Sequence, residues 1–458
     1  GGASAAGGAS AAGVQRRLER ALARAETRRR ARRQALSVIG TLLVVTAAVL
    51  WWTTGSSSPS SSPGKGASVP VSEVVVPSMR QVFPISGSVA GSFKQLPFPQ
   101  KGEGAVAVVG SGIVGASPRE RSVPIASVTK VMTAFIVLRD HPLAGAAGGP
   151  SLTMTAADHA KWIRDSEGNL SNVQLNAGEV LDERQMLEAL LLPSADNVAD
   201  KLAVWDAGSI KAFASKMNAE ARRLGLRGTH YVDASGVNKG SRSTAVDQAT
   251  LASLAMKNPV FRSIVKLAHA RIPVAGEIWS YNPEINLDGI VGVKSGFTQA
   301  AHGCLVTAAW RRVGAQHVLV VSAVLGQPFG LWQAGKADQA LLDAISPRLK
   351  VVAPFGAATE VAKITLPWNG ARLSARIGRE LRVVWWSGMR IRARYEAAAV
   401  TSGELLHGWP AGSQVGTLVL RDSFGTLASL PVDIGAAIKA PPSGTEPSPL
   451  PPRIPIGS

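Results

Sequence analysis

Residues Pro124 to Leu138 read PIASVTKVMTAFIVL, and this stretch decides how the middle of the chain is read. The apolar run after Lys130 has the length and pattern of a buried helix, which Ser127 opens. On a helix, positions three apart share a face, so Lys130 returns to the side of Ser127. The helix start also brings backbone N–H groups and a partial positive charge beside the hydroxyl. Two other Ser-x-x-Lys runs lack this setting. Ser62…Lys65 lies in a Ser/Pro-rich stretch, and Ser263…Lys266 reads as part of a surface helix.

A serine hydroxyl with a lysine on its own face suits acyl transfer. The hydroxyl is a poor nucleophile until a base takes its proton. A lysine can do so only as the neutral amine, which burial and a second nearby cation favour. Lys294-Ser295-Gly296 supplies that cation, and it is the one Lys-[Ser/Thr]-Gly of the chain. It ends the apolar run Gly289–Val293 and precedes Phe297-Thr298, as at a strand edge lining a cleft. Lys294 and Ser295 suit a terminal carboxylate, and Gly296 permits close approach to the backbone. A second hydroxyl should pass a proton to a leaving amine. Ser194, in Ser194-Ala195-Asp196-Asn197, is preferred for this over Ser280 of Ser280-Tyr281-Asn282.

Outward from these motifs, residues 93–346 mix strand-like and helix-like runs. Ala105–Val109, Gly289–Val293, Cys304–Trp310 and Val318–Val324 read as strands. Val128–Leu138, Arg184–Leu192, Ile210–Leu224 and Ala334–Ile345 read as helices. Residues 347–436 read as all-β, with Met389–Tyr395 alternating Arg and apolar residues. The expected fold class is α+β: an antiparallel sheet flanked by helices, followed by a small β domain. Residues 53–92 read as a linker and 437–458 as a Pro-rich tail.

The chain has 458 residues and a formal net charge of +18. Nine Arg and two Glu fall within residues 1–34, leaving +11 for the rest. That basic arm directly precedes Ala35 to Trp52, ALSVIGTLLVVTAAVLWW, which carries no charge. Such a run is about 27 Å long as a helix, enough to cross a bilayer core. The expectation is a single-pass membrane protein with residues 1–34 in the cytoplasm and everything after residue 52 outside. A cleaved signal is the weaker reading, because no small-x-small site follows. The basic run argues for a plasma membrane, not a nucleic acid.

Order and spacing now point to a family. Ser127 and Ser194 are 67 residues apart, and Ser194 and Lys294 are 100 apart. Ser-x-x-Lys, then Ser-x-Asn-like, then Lys-Ser-Gly resembles the low-molecular-mass penicillin-binding proteins, the serine-type D-alanyl-D-alanine carboxypeptidases of peptidase family S11. Met154–Asp158, Thr229–Tyr231, Gly236-Val237, Ser243–Asp247 and Tyr281–Pro283 are similar to stretches of that family. The resemblance implies an exported, wall-maturing enzyme needing no cofactor and no metal. Ser127 would attack the D-Ala-D-Ala bond of a peptidoglycan stem peptide, and Lys130 would take its proton. Ser194 would relay a proton to the departing D-alanine. Lys294, Ser295 and Gly296 would hold the carboxylate, and the N–H groups of Ser127 and Phe297 would form the oxyanion hole. β-Lactams would acylate Ser127.

The departure is Asp196, where the family has Asn. Ionised Asp cannot donate a hydrogen bond to substrate, and it could pair with Lys130 or Lys294. Asn197 could substitute if the loop were shifted by one. A catalytically weak wall-binding scaffold, and a β-lactamase, are the alternatives. Gly110–Gly115 matches G-x-G-x-x-G, but Ser117-Pro118 follows where a helix would have to open, so a hairpin turn is expected. The seven His show no metal-ligand spacing. Cys304 reads as a core-strand residue.

Overall fold

The computed structural model of the chain describes residues 78–81, 86–88, 96–366, 369–398, 408–422 and 425–439. The basic arm at 1–34 and the apolar run at 35–52 lie outside the described residues. Within them, no helix is long and apolar enough to cross a membrane.

Five antiparallel strands form the sheet of the mixed region. They are β1 (Glu103–Val108), β2 (Gly112–Ala116), β3 (Ile290–Thr298), β4 (His302–Val313) and β5 (Gln316–Gln327), in spatial order β3-β4-β5-β1-β2. Every residue of β1 is buried. Ala105 and Ala107 point into one core, Val106 and Val108 into a second, because side chains alternate across a strand. With both faces covered, the strand shows an unbroken apolar run in place of alternation. Gly110 and Gly112 take the positive φ values of the β1–β2 hairpin, and no helix opens there.

The first core packs six helices around α1 (Lys130–Asp140), which is buried almost all round. Around it lie α2 (Ala156–Glu167), α3 (Glu183–Leu191), α4 (Asp196–Ala207), α5 (Ile210–Arg223), α6 (Ala245–Ala255) and α7 (Pro259–Val265). Caps fix where several of these begin. Thr155 and Asp182 make reciprocal capping boxes with Asp158 and Gln185, satisfying N–H groups that the helix leaves unpaired. On the opposite face of the sheet, α8 (Gly330–Ile345) buries Leu341, Leu342 and Ile345 in the second core.

That second core runs on into the carboxy-terminal strands β6 (Lys350–Phe355), β7 (Glu360–Thr365), β8 (Arg372–Ile377), β9 (Leu381–Trp385), β10 (Arg390–Ala397), β11 (Gln414–Asp422) and β12 (Gly425–Ile434). On β10, Arg390, Arg392 and Arg394 are exposed, whereas Ile391 and Ala393 are buried, as the alternation predicts. Strands β6 and β9 pair with each other.

The stretch 53–92, read above as linker, is not linker throughout. Ser78–Gln81 pairs with β7, and Ser86–Ser88 pairs with β10. They close the two edges of one seven-stranded sheet, in which β8, β12 and β11 lie between. Open strand edges carry unpaired N–H and C=O groups, which these segments satisfy. Only four residues separate the two strands, a reach of roughly 18 Å. A flat sheet of this many strands would be about 29 Å across. The sheet therefore curls until its edges come near each other.

Candidate active site

Ser127 lies in the 3-10 turn Ala126–Thr129, which runs directly into α1. Ser127 is half-buried and reachable, while its neighbours Ala126 and Val128 are buried. Ala126 has φ +46°, a conformation that disfavours any residue with a Cβ. Two distant glycines hold the turn there. A Cβ on Gly236 would stand 1.8 Å from the Ala126 carbonyl oxygen. A Cβ on Gly296 would stand 2.9 Å from the Ser127 nitrogen and 3.1 Å from the Val128 nitrogen. Gly296 was expected to make room for substrate. It also makes room for the nucleophile's own turn, and so sets the Ser127 N–H beside the end of β3.

Lys130 is fully buried, and its ammonium has three acceptors. The Nζ lies 2.8 Å from Ser127 Oγ, 2.5 Å from Asp196 Oδ1 and 2.9 Å from the Ser235 carbonyl oxygen. Three donors thus meet three acceptors. Burial pushes the Asp196 carboxyl above the usual carboxylate range, and the Lys130 ammonium opposes that shift. Behind Asp196, Lys161 bridges Asp165 and Asp200 at 3.0 and 2.9 Å.

Lys294 arrives on β3, the edge strand of the sheet, and is also buried. Its Nζ donates to the Ser295 carbonyl oxygen at 2.9 Å. Burial drives its pKa well below the ordinary lysine value, the charge of Lys130 lowers it further, and Asp196 acts against both. The charges of Lys130, Lys294 and Asp196 thus act on one another. Ser295 donates to the Tyr281 carbonyl oxygen at 2.8 Å, which ties the 280–282 segment to β3. Phe297 follows, with its side chain exposed and its backbone paired to Gly303.

Ser194 precedes α4 with φ +65°, and its Oγ is buried with no hydrogen-bond partner among the described residues. The rival Ser280-Tyr281-Asn282 contacts Ser295 but is not the segment that reaches Lys130. Asn197 does not substitute for Asp196. Its Nδ2 donates to the Val173 carbonyl oxygen at 2.8 Å, and its Oδ1 accepts the Val173 N–H at 3.3 Å. Asp196 and Asn197 are successive helical residues and so point about 100° apart.

Sequence reasoning noted Gly236-Val237 as family-like but gave no role to the loop that supplies the Ser235 carbonyl. Asp233 organises it. Its carboxylate accepts the N–H of Gly236 at 3.1 Å, the N–H of Asn238 at 3.0 Å and the hydroxyls of Ser235 and Ser241. The Asp-Ala-Ser-Gly run at 233–236 is a turn signal that could have drawn attention to it. Cys304 is buried, and burial pushes its thiol up to about 12, which leaves it a poor nucleophile. Among the described residues, no cluster of His, Cys, Asp and Glu could hold a metal.

A family model described as D-alanyl-D-alanine carboxypeptidase, of peptidase family S11, matches residues 109–328. A D-alanyl-D-alanine carboxypeptidase of Streptomyces sp. strain K15 is 32% identical over 202 residues, which are 40% of this chain and 67% of the relative. The chain belongs to this family of serine peptidases. A second carboxypeptidase of the family, from Mycobacterium tuberculosis, is 34% identical over 41% of this chain and 62% of its own length. The same fold occurs in a peptidoglycan synthesis regulatory factor of Streptococcus pneumoniae, with TM-score 0.58 at 19% identity, covering 74% of this chain and 99% of that one. The family match takes in Ser127, Lys130, Ser194, Lys294 and Ser295, whereas the carboxy-terminal sheet lies beyond it.

Proposed function

We propose that this chain removes the terminal D-alanine from peptidoglycan stem peptides through an acyl-enzyme on Ser127. The observation that carries the reading is the 2.8 Å contact between a reachable Ser127 Oγ and a buried Lys130 Nζ, with a second buried lysine in the same site. The edge of β3 offers backbone groups to an extended peptide. Lys294 and the Ser295 hydroxyl receive its terminal carboxylate, and protonated Lys294 is then favoured by the incoming negative charge. Ser127 attacks the penultimate carbonyl carbon as Lys130 takes its proton. The oxyanion falls to the N–H groups of Ser127 and Phe297, which stabilise charge that develops only in the transition state. The Ser194 hydroxyl passes a proton to the leaving amine. Water then hydrolyses the ester by the same route in reverse.

In this reading, β-lactams acylate Ser127 as substrate mimics. The exported domain is tethered to the plasma membrane through residues 35–52, and trimming the stem peptides bears on wall cross-linking and cell shape. Mass spectrometry of a synthetic pentapeptide incubated with the chain tests the activity. Loss of one terminal D-alanine is expected, and loss of that product on Ser127→Ala. An intact pentapeptide with no label from a fluorescent penicillin would leave a silent scaffold. Many penicillin turnovers per second would indicate a β-lactamase.

A further inference from the structure

The Lys130 ammonium at rest has no lone pair to give to Ser127. In a site with Asn at position 196, the spare proton would have to leave for bulk water, since an amide accepts a hydrogen bond but not a proton. Asp196 changes that. Ser127 Oγ, Lys130 Nζ and Asp196 Oδ1 form a continuous hydrogen-bonded chain with steps of 2.8 and 2.5 Å. We propose that Asp196 is the proton acceptor that readies Lys130, so that the base is formed inside the site without exchange with solvent. This proposal rests on the acyl-enzyme reading above.

The protons balance as follows. Lys130 Nζ gives one proton to Asp196 Oδ1, converting ammonium and carboxylate to amine and carboxylic acid. Rotation about the Cε–Nζ bond turns the new lone pair from Asp196 to Ser127. The Ser127 Oγ–carbonyl bond forms as its proton moves to Nζ. When the tetrahedral centre collapses, that proton reaches the leaving amine through Ser194. Asp196 then returns its proton to Lys130. Net charge in the site is constant throughout. A buried pair favours the neutral form more than one in water does, because desolvation penalises both ions.

The groups facing Asp196 fit this role. Lys130 on α1 and Lys294 on β3 pull its pKa down, and Asp165 on α2 pushes it up. Asp200, one turn along α4, feels the Asp196 charge and is occupied by Lys161. Burial outweighs the cations. Asp196 is therefore held closer to the protonated state than a surface carboxylate.

The test is the pH profile of Ser127 acylation by a fluorescent penicillin in the full chain, wild type against Asp196→Asn. The wild type needs no net deprotonation, so its acid limb should reflect protonation of Asp196 alone. In the variant, Lys130 must lose its proton to solvent. The acid limb should rise by at least about one pH unit, with a loss of about tenfold or more at pH 7 that recovers at alkaline pH. The alkaline recovery separates the effect from misfolding. Superimposed profiles, or a uniform loss at every pH, overturn the proposal. A wild type that takes no label at any pH instead sinks the acyl-enzyme reading on which it stands.

Discussion

Gly236 touches the backbone of Ala126 so closely that a Cβ placed on it would lie 1.8 Å from the Ala126 carbonyl oxygen. No side-chain rotation relieves that clash, so Gly236→Ala must displace either the nucleophile turn or the loop carrying the Ser235 carbonyl. Penicillin labelling of Ser127 is expected to fall by about a hundredfold or more, together with Tm. Gly178→Ala is the control. Gly178 has φ +85° but open space around it, so the variant carries only backbone strain of about 1 kcal/mol and labels normally. Normal labelling of Gly236→Ala would mean that the turn does not need this contact.

Ser194→Ala should separate catalysis from stability. The buried Ser194 Oγ has no hydrogen-bond partner among the described residues, so its removal relieves an unsatisfied group. Tm is expected to stay level or rise slightly, while the acylation rate drops by about a hundredfold. A fall in Tm of many degrees would show a structural hydroxyl.

Lys294→Met should make the same trade more sharply. Lys294 is a buried cation whose charge burial disfavours, and Met has similar length without that penalty. Thermal denaturation is expected to show a more stable chain. Because the depressed pKa makes wild-type stability grow with rising pH, the gain should be largest at low pH. Hydrolysis of the pentapeptide should show KM raised by about tenfold or more, from loss of the carboxylate's partner. An unchanged KM would remove Lys294 from substrate binding.

Glu183 predicts a pH effect far from the nucleophile. It is buried, neither carboxylate oxygen is hydrogen-bonded among the described residues, and burial pushes its pKa up to about 7. The folded state thus binds its proton more tightly than the unfolded state does. Its contribution is fully present below the unfolded pKa, about 4.5, and is lost as pH rises through about 7. Glu183→Gln should match the wild type near pH 4.5 and melt a few degrees higher at pH 8. Equal Tm values at pH 8 would refute the assignment.

The parts of this molecule that were legible in the sequence are those written locally. Ser127 and Lys130 share a helix face, and the apolar runs of β1, β4 and β5 mark buried strands, so periodicity exposed them. Lys294 was found because a neutralised lysine needs a second cation. The orientation of Asn197 was not legible, since it depends on which side of α4 the 171–173 loop packs. Gly296 was assigned to substrate because sequence cannot show that the Ser127 turn occupies the space above it. Ser235 and Gly236 act through a contact made more than a hundred residues away, which no local pattern encodes. The strands within 78–88 are too short and polar to declare themselves, and become strands only because partners wait at both sheet edges.

Those two early strands bear on how the molecule is made. They emerge from the ribosome long before β7 and β10, the strands they pair with, and β12 at the sheet's middle comes later still. Their backbone groups must stay hydrated while the entire catalytic region is synthesised and packed. Removing the carboxy-terminal strands would strip both segments of their partners. The seven-stranded sheet is therefore complete only once the chain has been made through Ile434.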